Sequence, residues 1–160
     1  MKVLFLYPLW TGDYKGVSGY FAKKSGGTYI PYNLALLAAI TEKQGHVAKI
    51  IDGELEKISL PEIVKRSKNF EADLIVLTGM TPFYNVAVEC SKLLKQNGVS
   101  AAICIGGPHL TIMQEKAFEQ SFDYGFVGDG EESWIRFLQA YDKQSGFDQV
   151  PGLLYRENGE

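Results

Sequence analysis

The chain has 160 residues, 46% of them hydrophobic and 22% charged, which suits one globular domain long enough to bury a sizeable core. Sixteen basic residues against nineteen acidic ones leave a formal charge of −3, so a polyanion-binding surface, and with it nucleic acid as a partner, is not expected. No apolar run approaches the roughly 20 residues that cross a bilayer, and two cysteines without CxxC spacing form no disulfide framework, which fits the reducing cytoplasm and no membrane partner.

Short apolar runs alternate with helical patterns, the signature of βα repeats around a parallel sheet. Lys2–Tyr7 (KVLFLY) is the first predicted strand, and it meets Pro8 too soon to be a signal peptide. The stripe Leu34, Leu37, Ala38 and Thr41 predicts a helix that Gly45 is placed to end. His46–Asp52 (HVAKIID) is the second strand; Lys49 interrupts its apolar run and assigns it to an edge. Leu60, Ile63, Val64 and Ser67 mark the next helix, with Ser59 and Glu62 as its capping box. After the strand Asp73–Thr78 (DLIVLT), a helix follows through Ala87, Cys90, Ser91 and Leu94, started by Thr81 with Pro82 in its first turn and ended by Gly98. Ala101–Gly106 (AAICIG) is the fourth strand, Thr111 and Gln114 are candidate caps of a short helix, and Asp123–Val127 (DYGFV) is the fifth strand. Trp134, Phe137, Leu138 and Tyr141 form the last helical stripe, closed near Gly146, and Val150–Arg156 reads as a short extra strand before a polar end.

Right-handed crossovers between five parallel strands give a Rossmann-like (flavodoxin-like) three-layer α/β/α sandwich with strand order 2-1-3-4-5. Fold alone assigns no function, but it places a ligand beyond the carboxyl ends of the strands, near the switch point between the first and third.

The segments at those ends carry the candidate chemistry. Pro8–Ile30 (PLWTGDYKGVSGYFAKKSGGTYI) has no helical or strand period; it reads either as a lid or docking loop or as a disordered insertion. Thr78–Asn85 (TGMTPFYN) offers small residues for close backbone approach and the hydroxyls of Thr78 and Thr81, or else is a tight turn in which Thr81 only caps. In Gly106–Leu110 (GGPHL), two adjacent glycines admit a flat ligand and Pro108 stiffens the exit; His109 could bind a metal or hydrogen-bond a ligand, or be a structural or solvent-facing residue. In Gly128–Glu132 (GDGEE), the glycines could edge a large near-neutral ligand, or the acids merely complement a helix dipole; either way they repel a polyphosphate. GxGxxG after the first strand, a P-loop, a receiver-type acidic pair, GxSxG and a zinc-type ligand cluster are all absent from the sequence, so a binding domain without catalytic residues of its own fits best.

Taken in order, KVLFLYP, IPYNLALLAAITEKQGHVAKIID, DLIVLTGMTPFYNVAVECSKLLK, ICIGGPHLT and YGFVGDGEESWIRFL resemble the N-terminal cobalamin-binding domain of cobalamin-dependent radical SAM enzymes, in particular the anaerobic magnesium-protoporphyrin monomethyl ester cyclase-like family. QVPGLLYREN is similar to the segment leading from that domain into the radical SAM barrel. The resemblance implies residues 1–149 as the cobalamin-binding domain and 150–160 as the start of a linker to a radical SAM domain absent from this sequence. It implies a corrin across the strand ends, contacted by Thr78, Gly79, Met80, Thr81 and Tyr84, with Gly106, Gly107, Pro108 and His109 against its nucleotide tail and Gly128, Asp129, Gly130 and Glu131 closing the far side. Two departures matter. DxHxxG is missing and no His follows the first strand, so the resemblance implies a cobalt lower face that is open or water-bound. CxxxCxxC is also missing, so the four-iron four-sulfur cluster and S-adenosylmethionine belong to the absent domain.

The leading expectation is therefore a module that holds cobalamin for methyl transfer or radical chemistry completed by the barrel. One alternative is a cofactor-less scaffold or substrate-docking domain, with Met80, Phe83 and Tyr84 filling the pocket. Another is a flavodoxin-like flavin or signalling module, for which Thr11, Ser18 and scattered glycines are the phosphate contacts after the first strand. Apolar surface meant for the barrel could make the isolated domain a homo-oligomer.

Overall fold

A computed structural model describes residues 1–9 and 30–156. The long connection Pro8–Ile30, apart from its ends, and Glu157–Glu160 lie outside the described residues. Strands β1 (Lys2–Tyr7), β2 (Val47–Asp52), β3 (Leu74–Thr78), β4 (Ala102–Gly106), β5 (Tyr124–Phe126) and β6 (Leu153–Tyr155) form one sheet in the order β2-β1-β3-β4-β5-β6. The first five run parallel in the predicted order 2-1-3-4-5, with β2 at the edge.

The sheet is nonetheless six-stranded and mixed, not five-stranded and parallel, because β6 pairs antiparallel with β5 through Tyr124–Tyr155, Gly125–Leu154 and Phe126–Leu153. The reversal is made at Gly152, whose φ of 66° sits in the left-handed region and whose missing side chain lets it press on Val127: a Cβ there would lie 2.2 Å from the Val127 oxygen. Val127 N in turn donates to Gly152 O at 2.8 Å.

Strict alternation sorts the core into two layers. Leu4, Leu6, Ile75, Leu77, Ile103 and Ile105 face helices α3 (Leu60–Phe70), α4 (Tyr84–Gln96) and α5 (Pro108–Met113). Val3, Phe5, Leu74, Val76 and Cys104 face α1 (Tyr32–Lys43) and α6 (Gly130–Lys143). A one-turn helix α2 (Gly53–Glu56) after β2 has no hydrophobic period and is not legible in the sequence. Helices α1 and α4 close as their glycines suggest: His46 N donates to Thr41 O and Gly45 N to Glu42 O, and Val99 N to Leu94 O and Gly98 N to Lys95 O.

Three predicted caps form differently. Ser59 precedes α3 but makes no side-chain cap bond, and the reciprocal half of the box is lost because the Glu62 carboxylate is taken by Arg66 Nε at 3.0 Å, one helical turn on. Thr81 opens a 3-10 turn (Thr81–Phe83) ahead of α4, and its hydroxyl lies 3.2 Å from His109 Nδ1 instead of capping. Pro108 starts α5, so Thr111 falls inside that helix, while Gln114 follows its end. No helix among the described residues is long and apolar enough to cross a membrane.

The α1/α6 layer is knitted by aromatics. Trp134 meets Phe5 edge-on at 6.0 Å and stacks on Phe137 at 5.4 Å. Its indole Nε1, fully buried, donates to Thr41 Oγ1 at 2.8 Å, and Thr41 donates to Leu37 O. Thr41→Val keeps the shape and strands the indole N–H in the core, so urea unfolding should report a loss of about 1–3 kcal/mol. An unchanged unfolding midpoint would show that this bond is not a determinant of the packing.

Candidate functional site

The carboxyl ends of β3 and β4 are locked together through their backbones. Thr78 lies opposite Gly106 in the ladder, Gly79 N donates to Gly106 O at 2.9 Å, and His109 N donates to Gly79 O at 3.1 Å. Gly107 fills the gap between these bonds with φ 104°. A Cβ on it would stand 2.8 Å from Thr78 Oγ1 and 2.9 Å from Gly79 O, so only glycine allows the two strand ends to close.

Side chains from neighbouring elements extend the lock on both sides. Thr111, in α5, donates to Gly107 O at 3.1 Å and accepts from Gly128 N at 3.1 Å, tying the β4 segment to the β5 segment. Asn33, in the first turn of α1, donates from Nδ2 to Thr78 Oγ1 at 2.7 Å. Sequence reasoning misses Asn33, for which a lone amide in a helix start gives no signal, and reads Thr111 as a cap.

Above the lock the surface is floored by glycine. A Cβ on Gly106 would meet only Phe126, at 3.7 Å; one on Gly130 only Leu37, at 3.8 Å; one on Gly128 nothing within 4 Å. Around this floor Met80, Thr81, Pro108, Asp129 and Glu131 are exposed, and Thr78 and His109 are half-buried. The candidate residues of all three segments therefore share one crest. Next to it, Tyr7, Pro8, Thr78, Met80, Phe83 and Val86 line a recess of about 20 Å³, enough for one water.

Two candidates take a different place from the rest. Tyr84 turns into the core, where its hydroxyl donates to Ala117 O at 2.5 Å; its ring fills the space beside Gly79 and packs tilted against His109 at a centroid distance of 4.3 Å. Burial, with a smaller push from Glu119, raises its phenol to about 12. The neutral phenol thus stabilises the fold at all pH values below its ordinary 10, a contribution lost as pH rises through about 12. His109 stands on that ring, its Nδ1 beside Thr81 Oγ1. Among the described residues no three His, Cys, Asp or Glu side chains gather into a set that could hold a metal ion.

At the β5 end, α6 begins at Gly130 with Asp129 in the N-cap position and Glu131 and Glu132 in its first turn. Asp129 makes no side-chain cap bond. Three carboxylates there complement the helix dipole and leave this rim suited to a neutral ligand edge, not to a polyphosphate.

The B12 binding domain family model matches residues 20–137 of this chain. An uncharacterized methyltransferase of Pyrococcus horikoshii is 30% identical and the anaerobic magnesium-protoporphyrin IX monomethyl ester cyclase of Cereibacter sphaeroides 25% identical, each across 100% of this chain. The chain spans only 34% and 26% of the length of those two proteins. Among solved structures, the cobalamin-dependent S-adenosylmethionine radical enzyme OxsB with aqua-cobalamin bound superposes with a TM-score of 0.78 at 19% identity, over 99% of this chain and 21% of that one.

The lock and the floor make opposite demands on adjacent glycines. Gly107→Ala should cost about 1–3 kcal/mol in denaturant unfolding, since it adds both a disfavoured φ and a clash with backbone. Gly106→Ala, with room for its methyl group, should stay within about 0.5 kcal/mol of the parent. Equal losses at the two positions would contradict this division.

Proposed function

The chain belongs to the B12 binding domain family, and we propose on that premise that its strand-end crest seats the corrin of a cobalamin within a longer cobalamin-dependent radical SAM protein. The observation that carries this reading is the glycine floor: Gly128 leaves open space where a side chain would stand, a Cβ on Gly106 or Gly130 would make no more than ordinary contact with Phe126 or Leu37, and Gly107 binds the floor to the rest of the sheet. A broad macrocycle needs such a surface, because a side chain rising from it would hold the ring away from the backbone.

The residues present fit that group. The corrin is rimmed by amide side chains, and the crest offers hydroxyls at Thr78 and Thr81, an imidazole at His109 and exposed backbone at Gly128–Glu131 to meet them. Gly106, Gly107 and Pro108 supply close backbone, Gly79 is buried beside the Tyr84 ring and serves to tie the strand ends, and Met80 is a flexible apolar cover, 39% exposed, able to move off the recess it shares with Phe83. Tyr84 acts one step removed, by holding the His109 ring. When bound, cobalamin supplies methyl-carrying or radical chemistry at cobalt, with a four-iron four-sulfur cluster and S-adenosylmethionine in the remainder of the protein. This chain's part is to hold the ring flat and to set which of its faces is turned toward the remaining domain.

In such a protein residues 1–149 form the cofactor domain and 150–160 lead out of it. β6 is still anchored by β5 and by Arg156, whose guanidinium donates to Phe118 O at 2.7 Å and Phe122 O at 3.0 Å. Two buried free thiols suit the reducing cytoplasm as its location.

Mixing the chain with hydroxocobalamin and passing it over a desalting column tests the reading: the protein fraction should keep the colour and show a shifted visible spectrum. Gly106→Val, which fills the floor without leaving the allowed backbone region, should fold normally and weaken retention at least about tenfold. A colourless parent protein would reduce the domain to a scaffold without cofactor, and a Gly106→Val variant that retains colour like its parent would show that the corrin does not lie on this glycine floor.

A further inference from the structure

The Thr78 hydroxyl has a polarity set by its neighbours. It carries one proton and two lone pairs, and one lone pair accepts from the Asn33 Nδ2 amide at 2.7 Å. An amide N–H₂ group only donates, so the Thr78 proton cannot return along that bond. Among the described residues nothing else hydrogen-bonds this hydroxyl. On its other side lies Gly107, whose lack of a side chain leaves Oγ1 uncovered: a Cβ there would stand 2.8 Å from it. The proton is left for the crest and the recess that adjoins it, with Asn33 on the other side in the first turn of α1.

The geometry points to Asn33 as a positioning residue that turns the Thr78 hydroxyl proton outward, as a donor to an oxygen acceptor of the bound corrinoid. This rests on the cobalamin reading and adds to it a residue outside the three glycine-containing segments, on the helix across the strand ends. The acceptor is a neutral amide carbonyl of the ring periphery or an oxygen of the nucleotide-tail phosphodiester, both strong acceptors without a proton of their own.

Asn33→Asp keeps the side-chain shape and exchanges the donor for an acceptor. An acid in the first turn of a helix suits its dipole, so the thermal midpoint should not fall. The substituted carboxylate draws the Thr78 proton to itself and away from the crest. The dissociation constant for hydroxocobalamin should rise about fivefold to tenfold in Asn33→Asp and similarly in Thr78→Val, while Asn33→Ala, which frees the hydroxyl to rotate, should cost only about twofold. In a Thr78→Val background, or Thr78→Ala should the first fail to fold, Asn33→Asp should add nothing.

Repeating the measurement with dicyanocobinamide, which lacks the nucleotide tail, locates the acceptor: a retained Asn33→Asp effect assigns a ring amide, a lost one the phosphodiester. A parent chain that binds no hydroxocobalamin overturns the cobalamin reading itself. A parent that binds, with Asn33→Asp binding equally or with its loss undiminished in the Thr78→Val background, overturns only the role of Asn33.

Discussion

The architecture of the crest depends on one close approach, that of Gly107 to the end of β3. Parallel strands finish where their helices begin, and their last backbone groups would face water unpaired unless the loops satisfy them. Here Gly79 and Gly106 exchange a bond across the strand ends, and His109 N closes on Gly79 O from the far side of Gly107. The arrangement exists only because Gly107 brings no Cβ against Thr78 and Gly79. From that point the ties spread outward, through Thr111 to Gly128 and through Thr78 to Asn33, so that segments from four different βα units are joined into one surface.

Beneath the crest the core is unusually aromatic on one side. Phe5, Phe126, Trp134 and Phe137 make edge and stacked contacts between β1, β5 and α6, and the Trp134–Thr41 bond adds α1. The other layer is mostly aliphatic, with Tyr84 and Phe122 as its buried rings. A ring-shaped ligand needs a floor that does not yield, and the division of labour follows: large side chains below give rigidity, and glycines above give room. No side chain has to do both.

Much of this was legible from residue pattern, and the exceptions have physical causes. β1 is read to its last residue because a strand buried on both faces is an unbroken apolar run, and Lys49 marks β2 as an edge strand because a charge is tolerated there; its ammonium lies over the Phe70 ring at 5.4 Å. β6 is short and half-buried, and its antiparallel direction is decided by Gly152, one residue in a turn, which no periodicity reports. The capping box of α3 fails because Glu62 has a better partner in Arg66, a competition visible only once both side chains are in space. The glycine-containing segments announce the crest by their position after strands, and the B12 binding domain match covers them. Asn33 and Thr111 could not be found that way: each works through one long-range hydrogen bond between elements, and polar residues in helix first turns are too common to be informative.

The central claim is that the macrocycle lies on this crest and nowhere else on the domain. Backbone amide chemical shifts followed by NMR during addition of diamagnetic cob(III)alamin test it most directly. With the corrin seated on the crest, the perturbed amides should cluster at Thr78–Thr81, Gly106–His109 and Gly128–Glu131. Perturbations confined to the opposite end of the sheet, around Ala72, Asp73, Ser100 and Asp142, or none at saturating ligand, would contradict it.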